Sequence, residues 1–385
     1  MFKIRTQNKI TRQGLDLFDK TKYEISDAFD DPDAVIVRSA DMLDAKLGAR
    51  LLAIARAGAG YNNIPVDRCT EAGIVVFNTP GANANAVKEL EIAALVLASR
   101  NVIDAVNWAK TLTGDVAKEV ESGKNRFAGA EIAGKTLGII GVGKVGSLTA
   151  NAGVALGMHV IGLDPYMTIE SALSLSRSVK IAKEQGEIIE KSDYITLHVP
   201  VTPETKNMIN EKTLAKMKDG VRIINLSRAD IVDDDAMTAA LESGKVAKYV
   251  TDFPNEKVLR MKNTIAIPHL GASTEESEEN CAEMAVRQLM DYLEDGNIKN
   301  SVNYPELVME RTTEARICVF HKNVSGTISK ITSAVSELGI NIEHFTNRSK
   351  GDYAYTVCDI DGEIPHGLID KISGFGEITR VNLIH

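Results

Sequence analysis

The sequence predicts an α/β chain with two Rossmann-like doubly wound parallel-sheet domains followed by a C-terminal ferredoxin-like βαββαβ module. Three observations carry that prediction. Short Val- and Ile-rich runs alternate with polar stretches of helical spacing, and this alternation starts afresh near Lys135. The segment STEESEENCAEMAVRQLMDYLEDG opens on Ser/Thr with early Glu and closes on Gly296, the signature of one long, well-capped helix. From about residue 313 the pattern reads strand, helix, strand, strand, helix, strand.

In chain order, MFKIRT, AVIVRS, LLAIARAG and IVVFNT are the first group of strands, with TRQGLDLFDK and PVDRCTEAG as helices among them. A helix is expected over 84–108. The second group is TLGIIGVG, MHVIGLDP, DYITLHVP, VRIINLS, AKYVTD and TIAIPHL. Next come the long helix and the linker KNSVNYPELVMERTTEA. The tail comprises ARICVF, a helix over 325–338, INIEHFTNRS, YAYTVCDID, a short helix over 365–373, and EITRVNLI. The expected domains are 1–96 with 281–308, 97–280, and 313–385.

Composition excludes several function classes. The 385 residues carry 44 Lys plus Arg against 53 Asp plus Glu, a net charge of -9, the wrong sign for a nucleic-acid binder. The four cysteines stand far apart with no CxxC pair, which points away from zinc and disulfide frameworks and toward a reducing cytoplasm. No metal is expected. The longest apolar runs, such as IAALVLA, are far short of a membrane span, and the start carries no signal-peptide stretch.

In KTLGIIGVGKVGSLTA a strand runs directly into Gly141-x-Gly143-x-x-Gly146 and then a helix beginning at Lys144-Val145. Gly141 makes the tight turn, Gly143 admits a pyrophosphate, and Gly146 lets helix and strand pack closely. Asp164 ends the next strand, where a carboxylate accepts from the adenosine ribose and repels a 2′-phosphate, so NAD is favoured over NADP.

Of seven histidines, only His198 and His269 fall just past strand ends in the dinucleotide domain, where α/β sheets carry their chemistry. His269 is the expected acid-base group, because imidazole takes a hydroxyl proton near neutral pH. Glu256 in TDFPNEK is its expected carboxylate partner. Arg228, past another strand end, supplies a fork of donors for a carboxylic acid.

These elements, in this order, resemble the D-2-hydroxyacid dehydrogenase family of NAD-dependent oxidoreductases, with likeness from about Asp33 to the end. The motifs are Arg228 before Ile231-Val232-Asp233, and Pro268-His269-Leu270-Gly271. The resemblance implies a nicotinamide pocket around His198, Val199, Pro200, Thr205, Ser227 and Asp252. It also implies a substrate-carboxylate loop of Ala57, Gly58, Ala59 and Gly60 with Asn62. Two departures stand out: Ala229 replaces a customary glycine, and TDFPNEK is one residue short. If the gap falls differently, Asp252 or a water orients His269.

Arg38 and Arg56 match arginines of the family's phosphoglycerate branch, with Lys124 or Arg126 as further cations, implying 3-phosphoglycerate oxidation at the first step of L-serine synthesis. The tail resembles an ACT module, implying a homodimer or homotetramer and an L-serine effector held by His321, Asn323 and Asn341. Two other readings use the same residues: a dehydrogenase of glyoxylate or hydroxypyruvate, which needs no extra cations, and a non-catalytic NAD-sensing corepressor.

Overall fold

The computed structural model describes all residues except Glu363, Pro365, His366 and His385. The chain divides into two compact units, Met1–Asn83 with Glu275–His385, and Ala84–Thr274.

The first unit opens with five parallel strands: β1 (Phe2–Gln7), β2 (Tyr23–Ser26), β3 (Ala34–Val37), β4 (Ala53–Arg56) and β5 (Val75–Phe77). Their order is β2-β1-β3-β4-β5, so the direction of winding reverses between β1 and β3, and ligand sites of such sheets lie just past the strand ends at this point. Ala34–Val37 is buried throughout, as expected of a strand covered on both faces. The helix Glu275–Asp295 lays Cys281, Ala285, Val286, Leu289 and Leu293 onto this sheet's core. Gly14 is required where the short first helix crosses it, since a Cβ there would stand 2.6 Å from that of Ala282.

The second unit has seven parallel strands: β6 (Thr136–Ile140), β7 (His159–Leu163), β8 (Lys180–Ile181), β9 (Tyr194–Leu197), β10 (Val221–Asn225), β11 (Val246–Thr251) and β12 (Thr264–Ala266). The order β12-β11-β10-β9-β6-β7-β8 is doubly wound, with its reversal between β6 and β9. β8 was not foreseen, being only two residues with both side chains exposed and so lacking any apolar run.

The tail forms β13 (Ala315–Lys322), β14 (Ile342–Lys350), β15 (Tyr353–Ile360) and β16 (Ile378–Ile384), an antiparallel sheet in the order β14-β15-β13-β16 with two helices on one face. Those helices run Thr327–Ser336 and Leu368–Ser373; the start of the expected 365–373 helix lies outside the described residues.

The bare face of this tail sheet is not left to solvent. Cys318, Phe320, Tyr355 and Val357 join one core with Phe77, Leu289 and Tyr304 of the first unit. Arg316, fully buried, clamps Asp359 through Nε at 2.6 Å and Nη2 at 2.9 Å, and its Nη1 donates to the Asp295 and Met309 carbonyls. Arg380 donates to the carbonyls of Leu51 and Ala49.

Two expectations are corrected. The 84–108 helix is two helices, Ala84–Ser99 and Val102–Ala109, broken at Arg100–Asn101. The unit boundary falls at 83/84 and 274/275 rather than 96/97 and 280/281, and the tail expected as a separate 313–385 domain belongs to the first unit. The reason is packing: Ala94, Leu95 and Ala98 of the first of those helices share a core with Ile139, Ile224 and Val250 of the second unit. Among the described residues no helix is long and apolar enough to cross a membrane, and no cluster of His, Cys, Asp and Glu could hold a metal.

Candidate active site

The dinucleotide loop follows from β6. Gly141 adopts φ 95°, and a Cβ there would stand 2.5 Å from the His198 carbonyl; one at Gly146 would stand 1.9 Å from the Gly141 carbonyl. Gly143, by contrast, faces open space with no atom within 4 Å of its Cβ position. The helix Lys144–Ala155 begins there, presenting unsatisfied N–H groups suited to a pyrophosphate. Val145 is half-buried, and Lys144 reaches outward to Glu170. The Asp164 carboxylate accepts from the backbone N–H of Val142 at 3.0 Å and of Tyr166 at 2.9 Å, which fixes it beside the loop.

Around the β9 and β10 ends, Ser227 Oγ donates to the Val199 carbonyl and Thr205 Oγ1 donates to that of Pro200, bracing the segment after His198. Asn225 accepts from the N–H groups of Ser227 and Arg228 and donates to the Arg228 carbonyl, which sets the exposed Arg228 in its turn.

His269 lies three residues past β12, exposed, its ring 4.9 Å from that of Phe253. The expected partner, Glu256, is exposed and makes no hydrogen bond or ion pair with His269 among the described residues. The buried carboxylate next to this chemistry is Asp252. Burial raises its pKa, while the charge of His269, the Gly271 N–H at 3.2 Å and the charge of Arg228 act against that rise. Its Oδ1 is buried without a hydrogen-bond partner, a donor-seeking atom at the end of β11.

His198 is an inward-facing residue. Its side chain is 4% exposed, with Nε2 3.1 Å from Thr196 Oγ1 and 3.9 Å from Glu91 Oε1, and Thr196 Oγ1 donates to Glu91 Oε2 at 2.9 Å. The imidazole is therefore packing, and the backbone carbonyl is what meets Gly141. Sequence reasoning missed Glu91.

Burial raises Glu91 to about 8 and lowers His198 to about 4, so both are uncharged at pH 7. Against ordinary values of 4.5 and 6.5, the two linkages oppose one another from pH 4.5 to 6.5. Of the two, only Glu91 differs between states from pH 6.5 to about 8, the folded chain keeping a proton that the unfolded chain has released. Stability is thus expected to fall with rising pH in that window, by on the order of 1 kcal/mol per pH unit. Glu91→Gln keeps an acceptor for Thr196 and should remove the fall. Urea midpoints across this pH range check it; parallel curves for the two proteins would refute it.

In the first unit, Arg38 follows β3 and Arg56 ends β4. Arg56 Nε donates to the Arg38 carbonyl at 3.0 Å, and Arg38 Nη2 lies 2.7 Å from Glu278 Oε1. Gly58, at φ 152°, has no room for a side chain, because its Cβ would sit 1.8 Å from Arg56 Nη1. Ala57 N–H donates to Val37 and Asn78 Nδ2 to the Ala59 carbonyl, while Asn62 is exposed and its neighbour Asn63 braces the loop by donating to Ala40. Of the further cations, Lys124 pairs with Glu121 and Arg126 stacks on Trp108 at 4.8 Å.

The three tail residues are not brought together in one chain. His321, 2% exposed, is bonded to the Lys322 carbonyl, Thr356 and Asn347. Asn323 donates to the Gly351 carbonyl past the end of β13, whereas Asn341 precedes β14 and donates to Glu343 at the opposite end of the sheet. Eight-residue strands put those ends about 25 Å apart.

Residues 92–271 match the family model described as D-isomer specific 2-hydroxyacid dehydrogenase, NAD binding domain. The chain is 32% identical to a D-3-phosphoglycerate dehydrogenase of Synechocystis sp. over 97% of its own length and 69% of that protein's. It is 36% identical to a putative D-3-phosphoglycerate dehydrogenase of Schizosaccharomyces pombe over 80% of its length and 68% of that protein's. It resembles a crystal structure of NAD+-bound 3-phosphoglycerate dehydrogenase from Entamoeba histolytica with a TM-score of 0.62 and 28% identity, over 80% of this chain and 99% of that one.

Proposed function

We propose, from the premise that this chain belongs to the D-isomer specific 2-hydroxyacid dehydrogenase family, that it oxidises the C2 hydroxyl of 3-phosphoglycerate to the 2-oxo acid, the first step of L-serine synthesis. Its cofactor is NAD, which when bound supplies the hydride acceptor. The open face at Gly143 and the orphaned Asp252 Oδ1 fit it, the first admitting a pyrophosphate and the second accepting from a carboxamide.

The chain's own groups do the rest. Arg228 binds the substrate carboxylate by its guanidinium fork. His269 takes the hydroxyl proton at a ring nitrogen, and Asp252, in the place expected of Glu256, stabilises the charge that results. His198 and Glu91, both uncharged, hold the β9 end against Gly141.

The observation that supports the choice of a phosphorylated acid is the pair Arg38 and Arg56 at the ends of the adjacent strands β3 and β4, linked by the bond from Arg56 Nε to the Arg38 carbonyl. The test is the rate of NADH oxidation with phosphohydroxypyruvate, hydroxypyruvate, glyoxylate and pyruvate. At least a 100-fold preference in kcat/KM for the first is expected. Preference for an unphosphorylated acid would move the assignment elsewhere in the family, and no turnover with any would favour a binding protein.

The tail extends this reading. As an ACT module it would place L-serine between two copies paired antiparallel along the exposed edge strand β14, which sets Asn341 of one copy near the His321 and Asn323 end of the other. This makes the active form a homodimer or a higher even assembly. The four buried, unbridged cysteines accord with a reducing cytoplasm.

A further inference from the structure

We infer that Glu278 sets selectivity for the substrate's second anionic group, by holding Arg38 in an internal ion pair that this group must displace. The inference rests on the substrate reading above and adds to it a competitor built into the chain.

Two arginines stand by the loop. Arg56 is preset: its Nε is fixed on the Arg38 carbonyl and its Nη1 lies against the bare Cα of Gly58. Arg38 is parked on an acid, its Nη2 2.7 Å from Glu278 Oε1. Glu278 sits in the first turn of the helix Glu275–Asp295, where the positive helix end favours its charge.

The pair is not needed to hold the loop. The Arg38 carbonyl already receives Arg56 Nε and Asn63 Nδ2, and Asn8 Oδ1 accepts from the N–H groups of Ser39 and Ala40. What the ion pair controls is therefore the Arg38 guanidinium. Both side chains are about one-third exposed, 36% for Arg38 and 34% for Glu278, so the pair is wet enough to open and close rapidly.

An acid carrying only a carboxylate has no second group to offer Arg38 and leaves the pair intact. A phosphate, with up to two charges and three acceptor oxygens, can take Arg38 from a single carboxylate. Glu278 thus withholds the second cation from small hydroxy acids and adds a cost to binding the phosphorylated one.

The test is Glu278→Gln in the full chain, since glutamine keeps the hydrogen-bonding shape and loses the charge. With NADH saturating, KM for phosphohydroxypyruvate is expected to fall about 5-fold, while KM for hydroxypyruvate and both kcat values stay within about twofold. In an Arg38→Ala background Glu278→Gln should change neither KM. An unchanged KM for the phosphorylated acid, an equal change for both acids, or an effect that persists without Arg38 would each overturn the inference. Thermal melts of each variant establish that it is folded. If wild type shows no preference for the phosphorylated acid, the substrate reading fails; the response of phosphohydroxypyruvate KM to Glu278→Gln still decides for or against the competitor.

Discussion

Replacing His269 by alanine is expected to lower kcat by about 10²- to 10⁴-fold, the span usually supplied by a positioned acid-base group. His269 is the one histidine of the second unit that is both past a strand's carboxyl end and open to a ligand; His198 is sealed against Glu91 and Thr196. Because the His269 ring rests on Phe253 and is otherwise exposed, its removal leaves little unfilled space, so folding and NAD affinity should hold. Asp252→Asn should also lower kcat, since it removes the buried negative charge that the imidazolium would face. Stopped-flow NADH fluorescence separates cofactor binding from turnover. A His269→Ala enzyme that keeps more than a tenth of wild-type kcat would exclude His269 as the base.

Arg316→Met should cost about 3–5 kcal/mol of stability. It strips Asp359, itself fully buried, of a bidentate partner, and it leaves the Asp295 and Met309 carbonyls without the donor that now satisfies them. Pairing it with Asp359→Leu should recover much of the loss, because the uncompensated charge goes with it. Urea titration followed by tyrosine fluorescence measures both. A single variant within 1 kcal/mol of wild type would mean that Asp359 finds another cation or takes a proton.

Much of this was legible from local pattern. Gly141 and Gly146 could be placed because a Cβ at either would meet backbone, Gly143 only from its position in the pattern, and Arg38, Arg56, Arg228 and His269 because they sit where a strand pattern stops. Glu91 was missed, though a signal existed: it stands four residues after Val87 and four before Leu95, on the apolar face of its helix, where an unpaired acid has no cheap place. Arg100–Asn101 hid a helix break because both residues are tolerated in helices, and only the turn geometry reveals Asn101 as a start. Glu256 is the expected partner as the carboxylate that follows Pro254, whereas the structure leaves it exposed and buries Asp252, a difference of depth that is a tertiary property. The separation of Asn341 from Asn323 follows from strand direction, which spacing along the chain does not convey.

The seam between the tail sheet and the rest of the first unit has a consequence for chain continuity. Phe320, Tyr355 and Val357 share a core with Phe77 and Leu289, and Arg380 and Arg316 tie the two backbones directly. The peptide stretch between Met309 and Ala315 is then not what keeps the tail in place. Cut there by a protease, the chain should run as two bands on a denaturing gel and as one species through a sizing column, and the two pieces expressed from separate messages should find each other.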